Sequence, residues 1–282
     1  MNSITFSCAD FAFPLLTHNK ALQLIKLLDF EAVDLGVFED RSPIYPSQIA
    51  RDPVGEGKRL QAELQQLGLT AADVFLQTGA EPPIAAVNDP DANIRAHNRD
   101  LFRKIIDFSN TLHCDHITGL PGVLHAGEPA ERDWDIACEE TRWRVATAKA
   151  SQITYAVEAH VGSILPDAET TMTFLNDCPG LSLTLDYGHF IYQGQTTESV
   201  HPLLPFASHF HARGGAHGKL QTIVKENTID YAHIVAAFKK TGYKGAVCME
   251  YTYQDWEGCN RTDNVSETLL LRDQLHQLFK GG

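Results

Sequence analysis

The sequence predicts a single α/β domain, a (β/α)8 barrel spanning residues 1–282. Three observations predict it. Short apolar runs of strand length alternate along the whole chain with longer stretches whose apolar residues recur at helical spacing. In the C-terminal half four such runs, YAVEAH, LTLDYGH, HFHARGG and AVCMEY, each stop at a polar residue, namely Glu158, Asp186, His211 and Glu250. A buried parallel strand reads as an apolar run, and its C-terminal end is where α/β folds keep their chemistry. No glycine-rich turn follows an early strand, as an open nucleotide-binding sheet would show, and no linker or low-complexity segment divides the chain.

The elements follow in order. ITFSC (residues 4–8) is β-branched and predicts the first strand. Thr17 is placed to cap a helix carrying Ala21, Leu24, Ile25 and Leu28 on one face. AVDLGVF is the second strand, and residues 57–67 form a helix with Leu60, Leu64 and Leu67 inward, ended by Gly68. Residues 69–77 predict strand three. After a proline-bearing loop, Ile94, Leu101, Ile105, Phe108 and Leu112 make a helical stripe. HITGLP (residues 116–121) is strand four, and a helix covers residues 132–151. The four C-terminal runs supply strands five to eight. Helices are expected at residues 167–176, 198–204 and 228–241, the last with Tyr231, Ile234, Val235 and Phe238 inward, and at 265–279.

The formal net charge of −13 argues against duplex DNA or an anionic membrane as partner. Cys8, Cys114, Cys138, Cys178, Cys248 and Cys259 form no CxxC pair, which suits free thiols in a reducing compartment. No basic leader precedes an apolar segment at the N-terminus, and no run approaches the length of a membrane span. A cytoplasmic protein is expected.

Each of the three terminal acids and His211, taken alone, is as well explained by an ordinary salt bridge or a satisfied histidine. Their coincidence at the ends of four consecutive strands points instead to a shared site. Two glutamates, an aspartate and one imidazole suit a divalent cation, Mn²⁺ ahead of Mg²⁺, Co²⁺ or Zn²⁺. His160, two residues after Glu158, His189, three after Asp186, and Arg213, two after His211, are donors for substrate oxygens, with orientation of a ligand carboxylate the alternative for His160 and a rim ion pair an equal alternative for Arg213. His217 and Lys219, in the glycine-rich segment ARGGAHGKLQ, are placed to meet a hydroxylated or anionic substrate, although a flexible lid is the plainer role for that segment.

With these residues in place the chain resembles the xylose isomerase-like barrel superfamily of sugar isomerases, ketose 3-epimerases and related enzymes. Glu158, Asp186, His211 and Glu250 match that family's four metal ligands strand by strand, and His189 matches the histidine of its Asp-x-x-His motif. The resemblance implies that Mn²⁺, Mg²⁺ or Co²⁺ is bound and that the two glutamates move the proton. It also implies a dimer or tetramer. One departure is that Ile164 stands where ketose 3-epimerases carry a further glutamate. The expected function is isomerisation or epimerisation of a small sugar or cyclic polyol through an enediolate, with Glu158 and Glu250 bracketing the substrate. A lyase or dehydratase acting on a keto-inositol or 3-keto glycoside is the nearer rival. An endonuclease IV-like hydrolase is more remote, because it needs further ligands that Asp34, His116 and His125 do not obviously supply. A non-catalytic sugar-binding barrel has no use for paired carboxylates on a metal.

Overall fold

A computed structural model describes residues 4–281. The strands β1 (Phe6–Ala9), β2 (Ala32–Phe38), β3 (Thr70–Gln77), β4 (His116–Gly119), β5 (Thr154–Val157), β6 (Ser182–Asp186), β7 (Ala207–Ala212) and β8 (Val247–Met249) form one closed, parallel barrel. The first strand pairs with the last, Ser7 beside Cys248. Around it lie α1 (His18–Leu27), α2 (Pro46–Ile49), α3 (Pro53–Leu67), α4 (Ala92–Thr111), α5 (Ala130–Ala150), α6 (Ala168–Asp177), α7 (Tyr187–Tyr192), α8 (Thr197–Val200), α9 (Tyr231–Thr241) and α10 (Asn264–Lys280). The predicted fold class is the observed one.

The helices form where the sequence supplies both a stripe and a stop. In α4 the stripe of Leu101, Ile105 and Phe108 is buried, and the Asp91 carboxylate accepts from the Asn93 amide to start the helix. In α3 Asp52 caps the first turn and Pro53 occupies its first position, so the helix begins four residues before the expected start. Gly68 ends it in the left-handed conformation, φ 65°, which costs glycine little. Thr17 does stand at the cap of α1, but its side chain makes no capping hydrogen bond. The helix expected over residues 198–204 is instead α8 followed by a 3-10 turn, His201–Phe206. Pro202 and Pro205 lack the N–H groups that a continuing α-helix needs. β1 begins at Phe6 and β4 stops at Gly119, each shorter at one end than the apolar run suggests.

Connections at the two ends of the barrel differ. Those entering strands are short, for example residues 68–69, 112–115 and 151–153, whereas those leaving strands are long, for example 78–91, 213–230 and 250–263. The long set stands at the C-terminal rim and builds the site. Two register slips shape the interior. Val33 pairs with Ala71 and Asp34 with Asp73, so Ala72 is an extra residue. Leu183 pairs with Ala207 and Thr184 with His209, so Ser208 is another. Such bulges re-aim side chains, and the second sets His211 directly beside Asp186 on β6.

Candidate active site

Glu158 and Glu250 each occupy the first position past β5 and β8, Asp186 ends β6, and His211 is the penultimate residue of β7. Apolar neighbours alternate with them along each strand, so the four point inward at one level, and none is more than 4% exposed. The His211 Nδ1 lies 2.6 Å from Glu158 Oε1 and 3.3 Å from Glu250 Oε2. Arg213, two residues on and therefore on the same side of the chain, turns its guanidinium into the cluster. Its Nη2 donates at 2.5 Å to Asp186 Oδ2 and at 2.5 Å to Glu250 Oε2, and its Nε donates to Asp186 Oδ2 at 2.8 Å. Sequence reasoning left Arg213 between substrate contact and rim ion pair, and the structure places it in the ion pair. Three buried carboxylates without a cation would be prohibitively costly, and Arg213 and His211 meet that need.

The electrostatic consequences are unequal. Burial, followed by the charge of Glu250, pushes the Glu158 carboxyl up to about 7. Burial would raise Glu250 as well, but Arg213 and His211 outweigh it and hold that carboxyl below its ordinary value. Asp186 is raised by burial, partly offset by Arg213. Burial opposes protonation of His211, yet Glu250 and Glu158 overcome it, and the imidazole is held well above its usual range.

His189 lies on α7 rather than on a loop. Asp186 is the N-cap of that helix, its Oδ1 accepting from the Gly188 amide at 2.6 Å, so one carboxylate both faces the cluster and starts the helix that carries the histidine. The His189 Nε2 lies 3.6 Å from Asp186 Oδ2 and 3.8 Å from Glu158 Oε2. Its Nδ1 accepts from the Val161 amide at 3.2 Å, which assigns the proton to Nε2. His160 does the converse: Nδ1 donates to the Val161 carbonyl at 2.9 Å and Nε2 is buried without a partner among the described residues. Both rings are neutral, His189 held well below its ordinary value by burial and Arg213, and His160 pushed down to about 4 by burial. His217 and Lys219 are on an exposed turn, where Lys219 pairs with Glu226 at 3.1 Å, away from the four rim residues.

Sequence reading missed the residues behind and beside this cluster. Asp34 is buried in β2 and meets His209 Nε2 at 2.5 Å. The signal was present, since an acid interrupts the apolar run of β2 and His209 shares the parity of His211. His116 is taken up by Asp73 and Ser208, and His125 by Asp133, so neither joins the rim. Phe11, Phe38 and Phe75, from the first three strand ends, pack edge-to-face at 5.0–6.1 Å, and the Phe75 ring stands 5.7 Å from that of His211. Gly36 admits the Phe11 ring, for a Cβ there would lie 2.5 Å from it. This aromatic group packs against the cluster at His211.

The residues fit a divalent cation. One ligand atom from each of Glu158, His211 and Glu250 lies within 4.8 Å of the others, as does one from each of Glu158, Asp186 and His189. Three carboxylates with one imidazole are the oxygen-rich set that hard divalent ions prefer.

The model of the xylose isomerase-like TIM barrel family matches residues 22–274. The chain belongs to that family. Among curated proteins no sequence matches this xylose isomerase-like barrel. Among solved structures it is similar to a D-psicose 3-epimerase with D-tagatose from Clostridium cellulolyticum H10, at 14% identity and TM-score 0.77, over 98% of this chain and 99% of that one. It is also similar to a xylose isomerase-like TIM barrel protein from Mycobacterium smegmatis in complex with magnesium, at 14% identity and TM-score 0.75, over 98% and 97%. A third is 3-keto-D-glucoside 4-epimerase from E. coli, at 12% identity and TM-score 0.70, over 96% and 100%. At these identities the likeness is one of fold.

Proposed function

We propose that this xylose isomerase-like barrel is a divalent-metal-dependent isomerase or epimerase of a small sugar or cyclic polyol, working by proton transfer between Glu158 and Glu250. One observation carries the reading: two buried glutamates reach one cluster from β5 and β8 and both face His211, Glu158 Oε1 at 2.6 Å and Glu250 Oε2 at 3.3 Å from its Nδ1. Arg213 donates to Glu250 and favours its ionised form, which suits that carboxylate to the base role. Glu250, ionised, takes the proton from the carbon beside the substrate carbonyl. Glu158 delivers a proton from the other side, and the roles exchange in the reverse direction. Glu158, Asp186, His211 and Glu250 would hold the ion, Mn²⁺ or Mg²⁺. When bound, the ion supplies Lewis acidity at the substrate's carbonyl oxygen and neutralises the enediolate charge.

The remaining residues orient the substrate. His160 presents a bare Nε2 that accepts from a substrate hydroxyl, and His189 presents an N–H that donates. The sugar-acting epimerases among the similar structures support a sugar substrate. Elimination, the lyase alternative, needs an acid to protonate a leaving group, a task open to Glu158 or to the His189 N–H, so the product distinguishes the two readings.

The test is made in D₂O. The Mg²⁺- or Mn²⁺-loaded protein is incubated with ketoses, aldoses and inososes, quenched with chelator, and followed by mass spectrometry and NMR. Deuterium beside the carbonyl together with an isomer or epimer is expected. In Glu158→Gln and Glu250→Gln both exchange and turnover should fall by about 10²–10⁴. Loss of water or release of an aglycone would establish the lyase instead, and retained exchange in both variants would remove the glutamates from the chemistry.

A further inference from the structure

We propose that Asp34, buried in β2 on the far side of the barrel from the substrate loops, is a positioning residue that fixes which nitrogen of His211 faces the cation. The inference rests on the reading of His211 as a metal ligand. An imidazole that binds a metal must offer one nitrogen as a bare lone pair, and its other N–H is donated to a carboxylate or carbonyl that fixes ring and tautomer. His211 has that layout. Its Nδ1 faces the glutamates, 2.6 Å from Glu158 Oε1, and its Nε2 points the opposite way, 3.4 Å from Asp34 Oδ2.

Two further features support it. His211 Nε2 and Asp34 Oδ1 are both buried side-chain atoms without a hydrogen-bond partner among the described residues. Two neighbouring groups left unmet inside a packed core are an exception that asks for a reason. Donation from Nε2–H to the Asp34 carboxylate, 3.4 Å away, would leave Nδ1 as the lone pair for an ion. Asp34 is in turn held, since His209 Nε2 lies 2.5 Å from its Oδ2. Asp34, His209 and His211 are at most 1% exposed. The β2–β3 and β6–β7 register slips set Asp34 and His209 at the depth where they meet.

The first measurement is the tautomer of His211 by ¹⁵N NMR in wild-type protein loaded with Mg²⁺. Coordination through Nδ1 with a protonated, hydrogen-bonded Nε2 is expected, and the opposite tautomer overturns the inference without any variant having to fold. The second is Mn²⁺ affinity by calorimetry. Asp34→Ala should weaken binding about 10–100-fold, and Asp34→Asn, which keeps an acceptor but not the charge, should recover part of it. The visible spectrum of the Co²⁺ protein should shift in Asp34→Ala. If wild type and Asp34→Ala bind Mn²⁺ equally well with the same Co²⁺ spectrum, the positioning role is wrong while the metal reading stands. If wild type binds no divalent ion, the metal reading fails and takes this role with it. Two ions per chain, one lost in Cys248→Ser, would make the cluster of Asp34, His209, His211 and Cys248 a site in its own right and overturn the positioning role.

Discussion

Glu158 and Glu250 are the same residue type in one cluster, and the neighbour that most sets them apart is Arg213. Arg213 touches Glu250 and not Glu158, so burial dominates at Glu158 and charge at Glu250. A raised carboxyl has a consequence for stability. The folded protein holds the proton on Glu158 up to about 7, whereas the ordinary value is 4.5. The stabilising contribution is therefore complete below about 4.5 and is lost as pH rises through about 7. In chelator, the stability of the wild type relative to Glu158→Gln should fall between those two pH values. Denaturant titrations of both proteins across that window check it, and a pH-independent difference would mean that Glu158 is not raised. His160 and His189, both held neutral, act in the other direction at acid pH, which is why the comparison is made with the variant rather than with wild type alone.

At the scale of elements, α7 is the part of the site that the sequence hid. YGHFIY follows β6 without a break and without a separate capping residue, because the last residue of the strand is itself the cap. A carboxylate at a strand end was legible, but its second role required knowing that the chain turns immediately into a helix. This double use separates two substitutions. Asp186→Asn keeps an acceptor for the Gly188 amide, whereas Asp186→Ala removes the cap and leaves Arg213 with one partner fewer. Both should lose activity, and Ala should cost about 1 kcal/mol more stability than Asn, as read by denaturant unfolding. An equal cost would show that the cap contributes nothing. The crossover after α7 was misjudged for a related reason. The apolar spacing of residues 198–204 suits a helix, but Pro202 within that stretch and Pro205 just after it divide the segment into α8 and a 3-10 turn.

At the scale of the whole molecule, the barrel was legible because each strand is an apolar run and each covering helix has its own stripe. The rim residues were legible because polar residues at the ends of buried strands have few structural reasons to be there. The interior was not. Asp34, Asp73, His116 and His209 pair across the barrel between β2, β3, β4 and β7, contacts separated by up to 175 positions in the chain. Only the closure of the sheet and its two bulges bring them together. The same closure explains why the rim tolerates three acids. The guanidinium of Arg213 bridges β6 and β8 through Asp186 and Glu250, so its loss should be felt by the fold as a whole. Arg213→Met should destabilise the metal-free protein by about 3–5 kcal/mol, the usual cost of stranding a buried charge. Added Mn²⁺ should restore more stability to this variant than to wild type. Thermal melts with ion and with chelator measure both effects, and equal gains would deny that the ion and Arg213 serve the same acids.

The bridging arginine bears on the order in which the protein is made. A rim that relied on a cation from solution would leave newly synthesised chains waiting for one, with like charges forcing three strands apart. Here the chain brings its own positive charge, two residues after His211, and the barrel can close first and be supplied with its ion later. Refolding from denaturant in chelator should therefore reach the same compact state, at a similar rate, as refolding with Mn²⁺ present. The ion would then be a late arrival into a finished scaffold rather than the seed around which it forms.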